Sequence, residues 1–480
     1  MRTDFIGSFY EDTTRGFDYQ RCINWYPVPS ESGNAKSPVH LVGTPGKRSA
    51  VSLSPSTGKG CRGLYSTAGG RLFGVWGDKL YEIDTDEAAT DRNSSLRFTR
   101  TSGNVSMVDN GIYMVIIDEG KGYYYTLADN TLTQITSEGY PSAANQVIWH
   151  DGYFIVTVPD TRGFYWSSDG VTWDALDVAY IQSSPDNITG ITRTNTDIWL
   201  FGEKSMEAWQ TQAIGDAVFE RMGGATQDIG TKNPWSIAKI RDRIYFLGSN
   251  KDGYGNVYRV NGYGVEMIST SAINEKINRV ALSTDAYGYT YQEKGHYFYV
   301  LTIPSLDLTF AYDETTQRWH ERAFWNITSG SFSRDKATFH EFAFGYNYVG
   351  YYSDNNLYRL DPGYYLDGTE TIRRLRTGAH QSFENKRVRY NKFELEFARG
   401  QGLTGSGQGS DPKVMRRYSD NGGYTWSKET TRSVGKMGEY SKRARWLSQG
   451  SSRDRIEEIS ISDPVKADIM DAYAEVEIIG

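Results

Sequence analysis

The sequence predicts an all-β protein, a β-propeller followed by a C-terminal antiparallel β-sandwich. The 480 residues include 50 glycines and only 13 prolines, and 14% of them are aromatic. This composition is typical of many short strands joined by tight turns, and it argues against a helical bundle. Short strands that carry a large aromatic residue recur at intervals of 41 to 54 residues. Propeller blades are about 40 to 50 residues long, so the repeat favours a propeller.

Residues 1–50 are predicted to form an extended N-terminal arm with little regular structure of its own. Four prolines stand close together among serine, glycine and asparagine residues, at Pro27, Pro29, Pro38 and Pro45. Such clusters are typical of turns and loops between regular elements.

Residues 51–365 are predicted to form the propeller. The recurring aromatic residues are Tyr81, Tyr125, Trp166, Trp209, Tyr258, Tyr312 and Tyr358. An almost wholly apolar strand behind an Asp-Gly or Asn-Gly turn precedes several of them, as at 151–156, and these dipeptides supply the positive φ that a hairpin turn requires. Closure of the units into a circle would remove exposed sheet edges. Seven blades are the first choice, and six or eight stay open because the arm could add a closing strand.

Residues 366–480 are predicted to form a separate small β-sandwich. Half-buried strand patterns recur there, for example at 392–397 and 473–478, and a Gly/Ser/Gln-rich loop spans 400–410. Residues 370–480 hold 20 Lys+Arg and 16 Asp+Glu, a net charge of +4. The preceding 369 residues hold 32 and 43, a net charge of −11, so charge is divided unequally between the two parts.

Two segments, 167–173 and 419–426, resemble the Asp-box turn of sialidase-like propellers. Their characteristic residues are Asp169, Gly170 and Trp173 in the first, and Asn421, Gly423 and Trp426 in the second. In such turns the Asx side chain caps backbone N–H groups, glycine takes a φ that other residues avoid, and tryptophan fastens the turn to the sheet. We interpret both turns as structural elements, because turns of this kind lie away from catalytic sites.

No catalytic, cofactor-binding or metal-binding residues are predicted, and the protein is not expected to be an enzyme. The six histidines are scattered, and Cys22 and Cys61 lie in no metal-ligand spacing. Phosphate-binding loops and serine-nucleophile elbows are also missing from the sequence. The alternative function from another class is a carbohydrate-binding or glycoside-hydrolase propeller of sialidase-like architecture, which would need a suitably spaced carboxylate pair or a tyrosine nucleophile.

Three basic clusters lie in the C-terminal part: Arg373, Arg374 and Arg376; Lys386, Arg387 and Arg389; and Lys442, Arg443 and Arg445. The first interpretation is a solvated strand face with alternating charges. The second is an interface for an acidic partner, including the acidic propeller of a neighbouring subunit. Nucleic-acid binding ranks below both, because no aromatic residues suited to base stacking alternate with these cations.

No secretory signal and no membrane span are expected. The N-terminus lacks a basic start followed by an apolar core. The longest apolar runs, such as 113–117, are far shorter than the ~20 residues that cross a bilayer. Synthesis in a reducing cytoplasm is therefore expected.

Over most of its length the chain resembles the packaged-DNA stabilisation proteins, or tail accessory factors, of short-tailed bacteriophages. The resemblance is carried by segments 24–28 and 43–46 in the arm, 166–170, 184–190 and 200–209 in the propeller, and 418–426 and 445–450 near the end. From 278 to 365 the chain resembles the family only in its general sequence pattern. No single motif is diagnostic.

The resemblance implies a virion structural protein of the phage tail, a tail hub or nozzle made in the host bacterial cytoplasm. Six copies would form a ring below the portal-adaptor ring, close the filled head and retain the packaged DNA. The implied partners are tail fibres or tailspikes, a tail needle or plug, and double-stranded DNA that passes through the lumen during ejection without sequence-specific binding. No catalytic residues are implied.

Overall fold

A computed structural model describes residues 2–93, 96–212, 217–250, 254–279 and 284–479. Strands dominate this part of the chain. Its helices are the α-helix α1, Ser271–Asn278, and two short 3₁₀ helices, Pro234–Ser236 and Pro304–Leu306. The all-β prediction is confirmed.

The first 52 residues contribute six strands. These are β1 Tyr10–Glu11, β2 Tyr19–Gln20, β3 Cys22–Ile23, β4 Trp25–Pro29, β5 Val39–Gly43 and β6 Gly46–Ser52.

Seven sheets follow as the blades of a propeller. Blade 1 contains β7 Cys61–Ser66, β8 Leu72–Trp76, β9 Lys79–Ile83 and β10 Ala89–Asp91. Blade 2 contains β11 Val105–Asp109, β12 Tyr113–Asp118, β13 Lys121–Thr126 and β14 Thr131–Gln134. Blade 3 contains β15 Gln146–His150, β16 Tyr153–Thr157, β17 Gly163–Ser167 and β18 Val178–Tyr180. Blade 4 contains β19 Ile188–Arg193, β20 Ile198–Gly202, β21 Met206–Thr211 and β22 Phe219–Gln227.

Blade 5 contains β23 Ile229–Gly230, β24 Ala238–Ile240, β25 Arg243–Asn250, β26 Tyr254–Asn261 and β27 Gly264–Met267. Blade 6 contains β28 Tyr287–Glu293, β29 His296–Ile303, β30 Leu308–Asp313, β31 Arg318–Asn326 and β32 Ser331–Arg334, which pairs with the end of β31. Blade 7 contains β33 Ala337–Ala343, β34 Tyr346–Tyr351 and β35 Asn356–Asp361.

The arm completes blade 7. Strand β6 pairs antiparallel with β35, for example Leu360 with Lys47, and so supplies the fourth strand of the last blade. The propeller closes in this way at seven blades, because a strand that precedes the first blade in sequence completes the last one.

The remaining strands are β36 Leu366–Asp367, β37 Glu370–Thr371, β38 Arg374–Thr377, β39 Gln381–Ser382, β40 Val388–Phe397, β41 Lys413–Ser419, β42 Thr430–Ser433, β43 Ala444–Leu447, β44 Ser451–Ser452, β45 Asp454–Ile461 and β46 Ile469–Ile478. Strands β36 and β37 extend the sheet of blade 7 beyond β6, and the others build the sandwich. One sheet runs β38-β45-β41-β42, and the other runs β4-β5-β46-β40-β43.

The prediction of an arm with little regular structure of its own is wrong. Strands β4 and β5 form a hairpin that belongs to the second sheet of the sandwich. Pro27 and Pro29 fit within β4 because this strand is the edge of its sheet, where a missing N–H costs no ladder hydrogen bond.

Strand β3 joins the two domains through backbone hydrogen bonds. Ile23 pairs parallel with Glu321 of blade 6, and Cys22 pairs antiparallel with Arg376 of the sandwich. The sheet of blade 6 therefore continues through the arm into the first sheet of the sandwich.

One buried apolar cluster unites the three parts. Phe5, Phe9 and Trp25 of the arm lie among side chains of blades 5 and 6, such as Phe310, and of the sandwich, such as Trp446. Trp25 is fully buried, and its indole N–H donates to the carbonyl oxygen of Ala467 at 3.0 Å. The arm therefore completes a core that neither domain fills alone.

Inside the sandwich, Arg416 and Glu457 form a buried ion pair. Two parallel hydrogen bonds of 2.7 and 2.6 Å join the guanidinium to the carboxylate, and each side chain is 1% exposed. Arg416 also lies over the rings of Phe393 and Trp446. Either charge would be left in an apolar core if its partner were removed.

We expect Trp25→Ala to lower the free energy of unfolding by about 3 to 5 kcal/mol, because it removes a buried indole at the junction of arm, propeller and sandwich. Urea unfolding followed by tryptophan fluorescence and circular dichroism measures this change. Phe17→Ala is the control in the same arm, since Phe17 is 73% exposed and should cost less than about 0.5 kcal/mol. Equal effects of the two substitutions would contradict the proposed junction.

We expect Glu457→Gln to destabilise the chain by about 3 to 5 kcal/mol, because it leaves the Arg416 guanidinium buried and uncompensated. The matched control is Glu477→Gln, which breaks the exposed pair with Arg389 at 3.4 Å and should cost about 0 to 1 kcal/mol. Urea midpoints of the two variants compare them. A Glu457 variant as stable as the control would refute the argument.

Candidate functional site

The first predicted interface cluster is largely internal. Arg374 and Arg376 are 1% and 0% exposed, so the prediction that they contact a partner is wrong. Both lie in β38, between β3 and β45, where the arm covers the sandwich. Arg373 is half-buried, with its guanidinium 3.5 Å from Glu429 and over the ring of Trp325.

Arg376 holds the arm in place through backbone oxygens. Its guanidinium donates to the carbonyls of Phe5 at 2.8 Å and Ser8 at 2.9 Å, and to the side chain of Gln20 at 2.6 Å. A guanidinium offers five donors in a fixed geometry, and here several of them satisfy irregular backbone that would otherwise be buried without partners. The residue is a structural anchor for the arm.

Arg374 is buried without an equivalent set of acceptors. Its Nε and Nη1 atoms have no hydrogen-bond partner among the residues the structure describes. Burial lowers the pKa of Arg374 to about 10, against the opposing effect of Asp468.

The second and third clusters are exposed and lie at opposite ends of β40. Lys386, Arg387 and Arg389 are at the start of this strand, whereas Lys442, Arg443 and Arg445 are at the start of the antiparallel strand β43, which pairs with residues 392–395. Most of these cations are matched by acids on the same face. Arg443 and Arg445 both bind Glu394, at 2.9 and 2.8 Å.

The same pattern continues across this sheet. Glu396 lies between Lys36 of the arm and Arg399, and Arg2 binds Asp471 at 2.8 Å. Burial alone would raise the pKa of Glu396, but hydrogen bonds from Lys36 and Arg399 lower it. This face carries a network of ion pairs, as expected for a solvated strand face. Among the cations of the second and third clusters, Arg387 and Lys442 have no ion pair within the part of the chain that the structure describes.

The first Asp-box-like turn has the hydrogen bonds of such a turn. Asp169 accepts from the backbone N–H groups of Val171 and Thr172, both at 2.8 Å, and Gly170 has a φ of +77°. Burial alone would raise the pKa of Asp169, but these backbone donors lower it. Trp173 is buried between blades 2 and 3, against Tyr140 at 5.4 Å. The turn therefore fastens neighbouring blades together.

The second turn lies in the sandwich and meets the arm. Asn421 accepts from the N–H of Thr425 at 2.9 Å, and the N–H of Gly423 donates to the side chain of Ser419 at 2.9 Å. Trp426 is half-buried and lies 6.3 Å from the ring of Tyr19. This turn supports the β1–β2 hairpin of the arm.

The central tunnel of the propeller is narrow, and side chains of blades that are two apart meet beside it. The first strands of neighbouring blades contact each other around the axis, so they lie innermost. Gln146 of blade 3 donates to the carbonyl of Pro234, just before β24 of blade 5, at 3.4 Å. The rings of Trp235 and Phe339 meet at 6.3 Å between blades 5 and 7. A DNA duplex, whose major groove alone is about 12 Å wide, cannot pass through this tunnel.

Within the described ranges, no three His, Cys, Asp or Glu side chains are grouped so that they could hold a metal ion. Both cysteines are buried thiols, and burial raises the pKa of Cys22 to about 12. None of the helices described has the length and hydropathy needed to cross a membrane.

The junction of arm, blade 6 and sandwich was not predicted from the sequence. The available signal was the density of large apolar residues in an otherwise polar arm, at Phe5, Phe9, Ile23, Trp25 and Tyr26. An arm that remained in solvent would not need them.

Comparison with solved structures finds other proteins of low similarity. A virginiamycin B lyase from Staphylococcus aureus is 10% identical, with a TM-score of 0.44, and the alignment covers 64% of this chain and 97% of that one. The protein U3-55K is 9% identical, with a TM-score of 0.42 and coverage of 66% and 99%. At these scores the likeness carries no argument. No curated protein matches the sequence.

Two family models match the sequence in consecutive order. The model described as bacteriophage P22 Gp10, beta-propeller, matches residues 5–365. The model described as bacteriophage P22 Gp10, beta-sandwich, matches residues 373–477. Because the two matches together span almost the whole chain, the protein belongs to the bacteriophage P22 Gp10 family of phage structural proteins, virion components that act in the stabilisation of packaged DNA.

Proposed function

We propose that this protein is a tail hub or nozzle subunit of a short-tailed phage. Six copies assemble as a closed ring under the portal-adaptor ring, close the filled head and retain the packaged DNA. The lumen of the ring then forms part of the ejection channel, and the outer surface carries tail fibres or tailspikes and a needle or plug. The observation that carries the proposal is the family match over 5–365 and 373–477.

The narrow propeller tunnel supports a channel between subunits. The contacts of Trp235 with Phe339 and of Gln146 with Pro234 join blades that are two apart, so DNA must run outside each propeller. A ring of several chains offers such a path along its own symmetry axis.

The charge of the chain suits a channel that DNA traverses. The first 369 residues have 32 Lys+Arg against 43 Asp+Glu, a net charge of −11. Each Lys or Arg that neutralises a phosphate strengthens binding and releases counterions. An acidic propeller facing the lumen avoids such contacts and lets the duplex slide.

A rigid connection between domains suits a protein that resists the pressure of a filled head. Blade 6, the arm and the sandwich share one continuous sheet and one buried cluster. Relative motion of propeller and sandwich would break backbone hydrogen bonds at β3 and expose the indole of Trp25.

The ring requires a heterologous interface, in which one patch meets a different patch of the next copy. After the exclusion of Arg374 and Arg376, two exposed clusters remain as basic candidates for that contact: Lys386, Arg387 and Arg389 at one end of β40, and Lys442, Arg443 and Arg445 at the other. Their partner would be the acidic propeller of the neighbouring chain.

We expect particles assembled without this protein to lose their DNA, because nothing then closes the head below the portal-adaptor ring. The DNA of packaged heads from such a preparation should become sensitive to added nuclease. Purified protein added before the nuclease should protect this DNA. Protein denatured beforehand is the control. Heads that keep their DNA equally well without the protein would contradict the proposed function.

We expect Lys386→Ser, Arg387→Ser and Arg389→Ser together to weaken ring assembly and to reduce its dependence on salt, because three cations are removed from the proposed contact. Light scattering and negative-stain images of chain mixed with the adaptor ring measure the effect. The matched control replaces Lys413, Lys428 and Lys436 with serine, which changes net charge equally at exposed sandwich positions. Equal losses in both variants would exclude this interface while leaving the family function intact.

A further inference from the structure

A cup opens at one mouth of the propeller tunnel. It has a volume of about 460 Å³, and its lining includes Lys239 and Arg241 of blade 5, Lys294 and Tyr297 of blade 6, and His340 and Phe342 of blade 7. It lies beside the turns between the first and second strands of these blades. Trp235 and Phe339, which precede Lys239 and Phe342 along the same inner segments, meet at 6.3 Å. Its size is in the range of about 300 to 1,000 Å³ found for ligand pockets.

The three cations of the cup have no carboxylate partner within the part of the chain that is described. Lys239 Nζ donates to the carbonyl of Arg193 at 2.6 Å, and Arg241 donates to the hydroxyl of Tyr297 at 2.6 Å. Lys294 is exposed at the tip of its turn. This contrasts with the sandwich face, where most exposed cations are matched by acids.

Lys239 lies close to a further positive charge, Arg193 of blade 4. Burial, and then the neighbouring charge of Arg193, lower the pKa of Lys239 to about 8, against the attraction of Asp242. Asp242 itself accepts a hydrogen bond from Asn195 at 2.8 Å. An anion placed in the cup would relieve this repulsion.

The acidic side chain of the cup is Glu293, which is 7% exposed. Burial raises the pKa of Glu293, against the attraction of Arg322 and Lys294, which shifts the group towards its neutral form. Both carboxyl oxygens lack a hydrogen-bond partner among the described residues. The cup is therefore net positive, and one unsatisfied acceptor adjoins it.

An aromatic wall faces the cations. Phe342 is 57% exposed although it belongs to the first strand of blade 7. Tyr297 lies under the guanidinium of Arg241 at 4.8 Å. A ligand that suits both sides carries negative charges next to an apolar group.

We propose that this cup is a docking site for an acidic peptide segment of a protein partner. Its carboxylates bind Lys239, Arg241 and Lys294, and an apolar side chain packs against Phe342. Clusters of cations recognise acidic motifs in this way. A nucleic-acid strand fits less well, because it needs a continuous groove along which several bases stack, whereas the cup is a single depression of about 460 Å³.

Fluorescence anisotropy of a labelled oligoglutamate peptide containing one phenylalanine tests the proposal on the full chain. We expect binding at about 0.15 M ionic strength. The triple variant Lys239→Gln, Arg241→Gln, Lys294→Gln should bind about tenfold more weakly or worse. Phe342→Ser should also weaken binding of this peptide, and it should leave binding of an oligoglutamate without phenylalanine unchanged.

The control replaces Lys413, Lys428 and Lys436 with glutamine and should bind like the parent chain. If the triple variant fails to fold, Arg241→Gln with Lys294→Gln serves instead, because both residues are exposed in turns. Three outcomes would overturn the proposal: no binding of the peptide, an equal loss in the control, or tighter binding of a single-stranded oligonucleotide that the cup substitutions abolish.

Discussion

The architecture depends on the insertion of a two-residue strand, Cys22–Ile23, between blade 6 and the sandwich. Backbone groups on both sides of this strand are satisfied by different domains. Because a buried N–H or C=O without a partner costs free energy, removing the strand would leave two sheet edges open in the interior. Neither domain can therefore be regarded as complete without the arm.

The side chains around this strand follow from the same constraint. The arm is irregular before β1, where its carbonyls need donors that β-sheet pairing does not provide, and Arg376 donates to two of them. Between β3 and β4, the side-chain amide of Asn24 donates to the carbonyls of Ala323 and Arg373, at 2.8 and 2.9 Å. Asn24 adopts a φ of +56°, which asparagine tolerates better than most residues. Polar residues here stabilise an insertion, whereas in the sandwich face they hold charges in matched pairs.

The narrow tunnel and the cup with its unpaired cations both follow from the way the blades are arranged around the axis. A seven-bladed ring brings its first strands close to the axis, and contacts between blades 3 and 5 and between blades 5 and 7 narrow the tunnel. What remains open is the mouth beside the turns, where the loops are free to carry residues that the core does not require. The ion-paired sandwich face and the cationic cup therefore differ in kind. One has its charges satisfied within the chain, and the other has charges that are open to a partner.

The two classes of structure and their order along the chain could be predicted from the sequence alone. The recurrence of Tyr81, Tyr125 and the later aromatics predicted the blades, because each blade must bury similar strands at a similar spacing. The Asp169 turn was also predictable, since its hydrogen bonds are local. Three features could be known only from the fold: the position of the arm, the burial of Arg374 and Arg376, and the convergence of Lys239, Arg241 and Lys294. These depend on contacts between residues hundreds of positions apart or on different blades. The sequence pattern of an arginine run is the same whether the run faces solvent or anchors a buried strand. Only the fold distinguishes these two cases.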